Sequence, residues 1–87
     1  MKLKKNLALS DSGFVFDPSS GNSFTTNPIG LEIIRLLRQG KSQKDITAQI
    51  LKTYAVDEAS FEKDYYDFTM MLGRLKLTDD GNAKEKD

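Results

Sequence analysis

The sequence predicts an α+β domain of winged helix-turn-helix-like form, a three-stranded antiparallel sheet followed by three helices, and three observations carry that expectation. Residues 13–26 contain two short runs of strand-forming residues on either side of Pro18-Ser19-Ser20-Gly21. A capped helix opens at Asn27-Pro28, directly after the second run. Three segments of helical periodicity, joined by short connections, then fill the chain as far as Arg74.

The hairpin comes first in the argument. Gly13 to Asp17 is dense in aromatic and β-branched residues, Pro18 pre-sets φ for a turn, and Gly21 is free to take a positive φ. The return strand, Asn22 to Thr26, puts Phe24 and Thr26 on one face and Ser23 and Thr25 on the other. It is short and polar, as expected of a sheet edge. Upstream, Leu7 and Leu9 stand at period two within Asn6 to Ser10 and predict a first strand beside Phe14; the alternative is an N-terminal arm lying on the core.

Asn27 is a good N-cap and Pro28 a good first helical residue, so helix one is expected over Pro28 to Arg38, ending at Gly40 as its C′ glycine. Ile29, Ile33, Ile34, Leu36 and Leu37 form its core side. Gly30 in its first turn costs about 1 kcal/mol relative to Ala unless something packs closely there, and helix two is the expected neighbour. Ser42 caps helix two, Ser42 to Tyr54, with Asp45 at its third helical position and Ile46, Ile50 and Leu51 as its stripe. The short loop before it has helix-turn-helix spacing. Asp57 caps helix three, Glu58 to Arg74, on which Phe61, Tyr65, Phe68, Leu72 and Leu75 fall within roughly 80° of arc and read as core. The domain is expected over residues 1–77, and TDDGNAKEKD, residues 78–87, reads as a disordered polar tail.

Composition removes whole classes of function. The 87 residues contain no cysteine and no histidine, which excludes disulfide frameworks, thiol catalysis and zinc fingers. Lys plus Arg and Asp plus Glu number 13 each, so no polyanionic partner is advertised. The basic N-terminus is followed by too short an apolar run for a secretory signal, and no stretch approaches the roughly 18 apolar residues of a membrane helix. A cytoplasmic location and no membrane partner are the expectation.

The same residues offer little catalytic chemistry. Glu58, Glu62, Asp64 and Asp67 have helical spacing, but no histidine joins them and they straddle different faces, so they read as a solvated acidic surface. Ser19-Ser20-Gly21 lacks a base, and the glycines form no phosphate-cradling loop. A non-enzyme without metal or cofactor is expected. A winged-helix DNA-binding regulator has to be weighed, but its recognition helix would carry Asp57, Glu58, Glu62, Asp64 and Asp67 against Lys63 and Arg74, a poor match to phosphate. Tyr66 and Met70 lie opposite the apolar stripe and are candidates for contact with a partner protein, which admits a third reading, a structural adaptor docking onto an enzyme.

Taken in order, FVFDPSSGNSF, TNPIGLEIIRLL and RQGKSQKDITAQILKTYAVDEASFEKDYYDFTMMLGRLKL resemble the PqqD-like family, whose fold is also called the RiPP recognition element. The resemblance covers about residues 7–77 and rests on the spacing of Asp17, Gly21, Phe24, Asn27, Gly40, Ser42, Ile46, Tyr54, Val56, Asp64, Phe68 and Leu72. Thr26 stands where the family often has an apolar residue. The resemblance implies a non-catalytic peptide chaperone that captures the leader of a ribosomally synthesised precursor peptide and presents it to a modifying enzyme, often a radical-SAM protein. PqqD itself serves pyrroloquinoline quinone biosynthesis.

An edge strand suits that role, because its unpaired N–H and C=O groups can take up an added strand. The expected peptide-binding site is a groove between strand three and helix three, with the peptide pairing along Asn22, Ser23, Phe24, Thr25 and Thr26. Asp64, Asp67, Phe68 and Met71 would line it and favour a leader carrying Lys or Arg beside an apolar anchor.

Overall fold

The computed structural model describes residues 2–78. Its order is β1 (Ala8–Leu9), β2 (Phe14–Phe16), β3 (Ser23–Thr25), α1 (Pro28–Arg38), α2 (Gln43–Thr53) and α3 (Glu58–Arg74). The strands form one antiparallel sheet in the order β1-β2-β3, so the expected α+β architecture stands, with β3 at an edge. Each strand is shorter than the span expected from the sequence, although the residues flanking β2 and β3 still bond across the hairpin. Leu9 faces Val15 and Val15 faces Phe24 across the ladder. That row of three forms the inner side of the sheet: Val15 is buried, and Leu9 and Phe24 pack against the core.

α1 and α3 have the expected bounds, and α2 is shorter by its two caps. All three predicted caps form. The side chain of Asn27 accepts from Gly30 N–H at 2.8 Å, Ser42 Oγ from Asp45 N–H at 3.1 Å, and Asp57 from Ser60 N–H at 3.0 Å. α1 ends as expected at Gly40, whose φ of 82° lets its N–H reach the Leu37 carbonyl while Lys41 N–H reaches that of Leu36. α3 ends in the same way without a glycine: Lys76 takes φ 59°, and the N–H groups of Lys76 and Leu77 reach the carbonyls of Gly73 and Leu72. That turn folds Leu77 back onto Leu72, and both side chains are buried.

Two expectations are corrected. The close neighbour of Gly30 is α3, not α2: a Cβ at Gly30 would collide with Thr26 Oγ1 and come within 3.2 Å of Phe68 Cε1 and of Asn27 Oδ1. Thr78, assigned by sequence to the tail, forms an antiparallel bridge with Leu3, and Lys4 N–H donates to the Leu77 carbonyl at 2.9 Å. The start of the chain is thereby laced to the end of the domain, and Leu3, Leu7 and Leu77 join the core. Residues 79–87 of the expected tail lie outside the described residues. Among the described residues no helix is long and apolar enough to cross a membrane.

Among the described residues Asp17 is the one buried carboxylate, only 1% exposed. Oδ1 accepts from Ser19 N–H at 3.0 Å, and Oδ2 accepts from Ser20 Oγ at 3.1 Å and from Lys4 Nζ at 3.2 Å. Its backbone carbonyl takes the N–H of Gly21 at 2.8 Å. Burial pushes the carboxyl pKa up, but the hydrogen bonds from Ser19, Lys4 and Ser20 and the Lys4 charge outweigh it, leaving it below the ordinary carboxylate value.

Two outcomes follow from these contacts. Asn27→Ala removes the acceptor for Gly30 N–H and should lower stability by about 1 kcal/mol, read as a fall in the urea midpoint; coincident midpoints for variant and parent would refute the cap. Because the folded state holds Asp17 ionised more strongly than the unfolded chain does, its contribution is complete above about pH 4 and is lost as pH falls through the lower folded-state value. Asp17→Asn should therefore melt below the parent at neutral pH, with the two curves converging in acid.

Candidate functional site

The phase of the β2–β3 ladder decides which backbone groups remain open. Thr26 N–H donates to the Gly13 carbonyl at 2.8 Å, and Asp17 N–H donates to the Asn22 carbonyl at 2.8 Å. An antiparallel ladder alternates between pairs that exchange hydrogen bonds and pairs that do not, so Val15 and Phe24, midway between those two, form the bonded pair. Ser23 and Thr25 occupy the intervening positions, opposite Phe16 and Phe14. Their N–H and C=O groups point away from β2, and among the described residues no strand lies on that side. Of the five residues expected to pair with a peptide, Ser23 and Thr25 present open backbone groups, while Asn22, Phe24 and Thr26 are tied inward.

β3 leads through Thr26 into a cleft of about 360 Å³ between the first turns of α1 and the N-terminal half of α3. Its apolar surface comes from Ile29, Ile33, Val56, Phe61 and Phe68, with Gly30 among them and Asn27, Asp57, Ser60 and Asp64 as its polar members. Gly30 makes the cleft possible. With no Cβ there, the Phe68 ring can lie against the backbone of α1 and close one end of the space.

The structure brings Asp64 and Phe68 into this cleft and leaves Asp67 and Met71 out of its lining. Asp67 is exposed and accepts from Lys63 Nζ at 3.3 Å, one helical turn away. Met71 is half-buried and packs against the core. The wall facing α3 is α1, whose Asn27, Ile29, Gly30 and Ile33 were read from the sequence as cap and core alone. Nothing in the sequence sets Ile29 or Ile33 apart from the other apolar positions of the α1 stripe.

Tyr66 and Met70 are 63% and 43% exposed, on the side of α3 turned away from the cleft. Phe14, on the outer face of β2, is also 43% exposed, and sequence reasoning had treated it only as a strand former. Among the described residues no group of three or more His, Cys, Asp or Glu is arranged to hold a metal ion.

A search of curated proteins gives no match. Among solved structures, that of TbiB1 in complex with the TbiA(beta) leader peptide is similar, at 28% identity and a TM-score of 0.80, with 92% of this chain and 96% of that chain covered. The family model described as coenzyme PQQ synthesis protein D matches residues 13–77, which include the hairpin, all three helices and every residue of the cleft. The chain belongs to the PqqD family.

Proposed function

We propose that this protein is a RiPP recognition element: it binds the leader of a ribosomally synthesised precursor peptide as a fourth strand on β3 and presents it to a modifying enzyme. The observation that carries this reading is the open edge of β3, where Ser23 and Thr25 hold out backbone groups unpaired among the described residues, with the lining of the apolar cleft beginning at Asn27, two residues beyond the strand. Main-chain pairing fixes the direction of an added strand, and side-chain pockets supply selectivity. The similarity to TbiB1, solved with a leader peptide bound, supports it at 28% identity over nearly the whole chain. The work is binding rather than chemistry on the peptide, and the reaction belongs to the partner enzyme, for which the family's radical-SAM partners are the first candidates.

A DNA-binding role is disfavoured by charge. α3 would enter the major groove with more carboxylates than cations, and neutralising phosphate supplies nearly all non-specific DNA affinity. Tyr66 and Met70 offer a second surface that a bound leader leaves free, so the enzyme can engage that side of α3 while the peptide occupies the other.

Amide exchange tests the strand directly. In the free protein the Ser23 and Thr25 amides should exchange quickly, and adding the leader should slow those two while leaving Phe24 and Thr26 unchanged. Protection confined to α1 and α2, with β3 silent, would end this reading. Thr25→Pro removes one outward donor without touching the β2–β3 ladder and should weaken leader binding by about two- to tenfold, measured by fluorescence anisotropy.

The enzyme surface has its own test. Tyr66→Ala combined with Met70→Ala should leave the leader dissociation constant unchanged while lowering co-elution with the modifying enzyme. A loss of leader affinity instead would place those residues at the peptide.

A further inference from the structure

We propose that the cleft between α1 and α3 reads charge as well as shape: Asp64 selects leaders that carry a Lys or Arg on the same strand face as the apolar residue filling the cleft. This rests on leader binding by strand addition and goes beyond it, by naming the residue that discriminates among leaders.

Three carboxylates lie on or next to this side of α3, and their surroundings differ. Asp57 is committed to the helix N-cap, accepting from Ser60 N–H at 3.0 Å. Asp67 lies outside the cleft and is paired with Lys63 Nζ at 3.3 Å. Asp64 lines the cleft and, among the described residues, its carboxylate has neither a hydrogen bond nor an ion pair. No Lys, Arg or His contributes to the lining, so the only formal charges there are negative. The occupant that matches this surface is a peptide segment with an apolar side chain and a cation.

A long basic side chain fits the arrangement better than a short one, because its methylenes can lie along Ile29 and Phe68 while the charged head reaches Asp64. Alternate residues of a strand point to the same face, so the apolar residue and the cation should be spaced i, i+2. Since Asp64 is exposed, the charge acts as a selector on top of apolar burial, and removing it should weaken binding by about two- to fivefold.

The test selects random linear peptides from a display library on the parent protein, on Asp64→Lys and on Thr25→Pro. Peptides held by the parent should be enriched in Lys or Arg at i+2 from a large apolar residue, and selection on Asp64→Lys should lose that enrichment or turn it acidic. For one selected peptide, Asp64→Asn should weaken binding about two- to fivefold, and the same substitution should change nothing once the peptide's cation is replaced by Gln. Peptides selected by the parent without basic bias, or with a bias that Asp64→Lys leaves intact, would overturn the role of Asp64 while strand addition stands. Selection equally strong on Thr25→Pro would instead overturn strand addition, and this inference with it.

Discussion

The buried carboxylate of Asp17 is the contact on which the sheet depends. A hairpin of two three-residue strands is too short to fix its own register, and a slip of one residue would reverse every side chain. Asp17 prevents that slip by gathering Ser19 N–H, the Ser20 hydroxyl and Lys4 Nζ around its side chain while its own N–H donates to Asn22. The turn is therefore tied to the N-terminal segment as well as to itself. With Lys4 Nζ held here and Lys4 N–H bonded to the Leu77 carbonyl, one residue links the hairpin turn to the segment beyond α3. A buried ion pair is weak evidence of net stability; this one holds the turn, since the Ser19 and Ser20 donors lie within it and Lys4 ties it to the N-terminal segment, while the bond from Asp17 N–H to the Asn22 carbonyl crosses between the strands.

That register has a functional consequence. It puts Val15 and Phe24 on the inner face and, by the alternation of the ladder, turns the N–H and C=O of Ser23 and Thr25 outward. The opposite phase would offer Phe24 to an added strand and point Ser23 and Thr25 at the core. The open edge and the cleft then meet because Asn27 caps α1 immediately after β3, without a loop that could let the helix drift. Thr26, in the position between them, lies against Gly30. A larger residue at Gly30 would have to displace that hydroxyl and the Phe68 ring together.

Much of this was legible in the sequence, and the parts that were not share a cause. Helices announce themselves through local chemistry: Asn27-Pro28, Ser42 and Asp57 mark the starts, and the spacing of Phe61, Tyr65 and Leu72 marks the buried face. Leu3 and Leu77 give no such signal. Each is a single apolar residue between lysines or polar neighbours, and each is buried only because the two ends of the domain meet. The helix turn that brings Leu77 in runs through Lys76 at positive φ, where a glycine would have been the readable sign. The site divides the same way. An edge strand could be read from its polarity and Asp64 and Phe68 from their place on α3, but the facing wall could not, since Ile29 and Ile33 look like any other core positions until α1 and α3 are packed.

The energetics of the edge explain why a cleft has to accompany it. Two residues with open groups offer at most four main-chain hydrogen bonds to an added strand. At about 0.5–1.5 kcal/mol net each they contribute about 2–6 kcal/mol, while fixing a free peptide costs an estimated 4–15 kcal/mol in lost freedom. The backbone alone therefore holds a peptide weakly or not at all, whatever its sequence. One large apolar side chain buried in the cleft adds about 1.5–3 kcal/mol, a gain that, unlike the backbone bonds, depends on the peptide's sequence. On the proposed reading, pairing on β3 would fix the direction and register of an added strand, and the cleft walls of α1 and α3 would decide which strand stays bound.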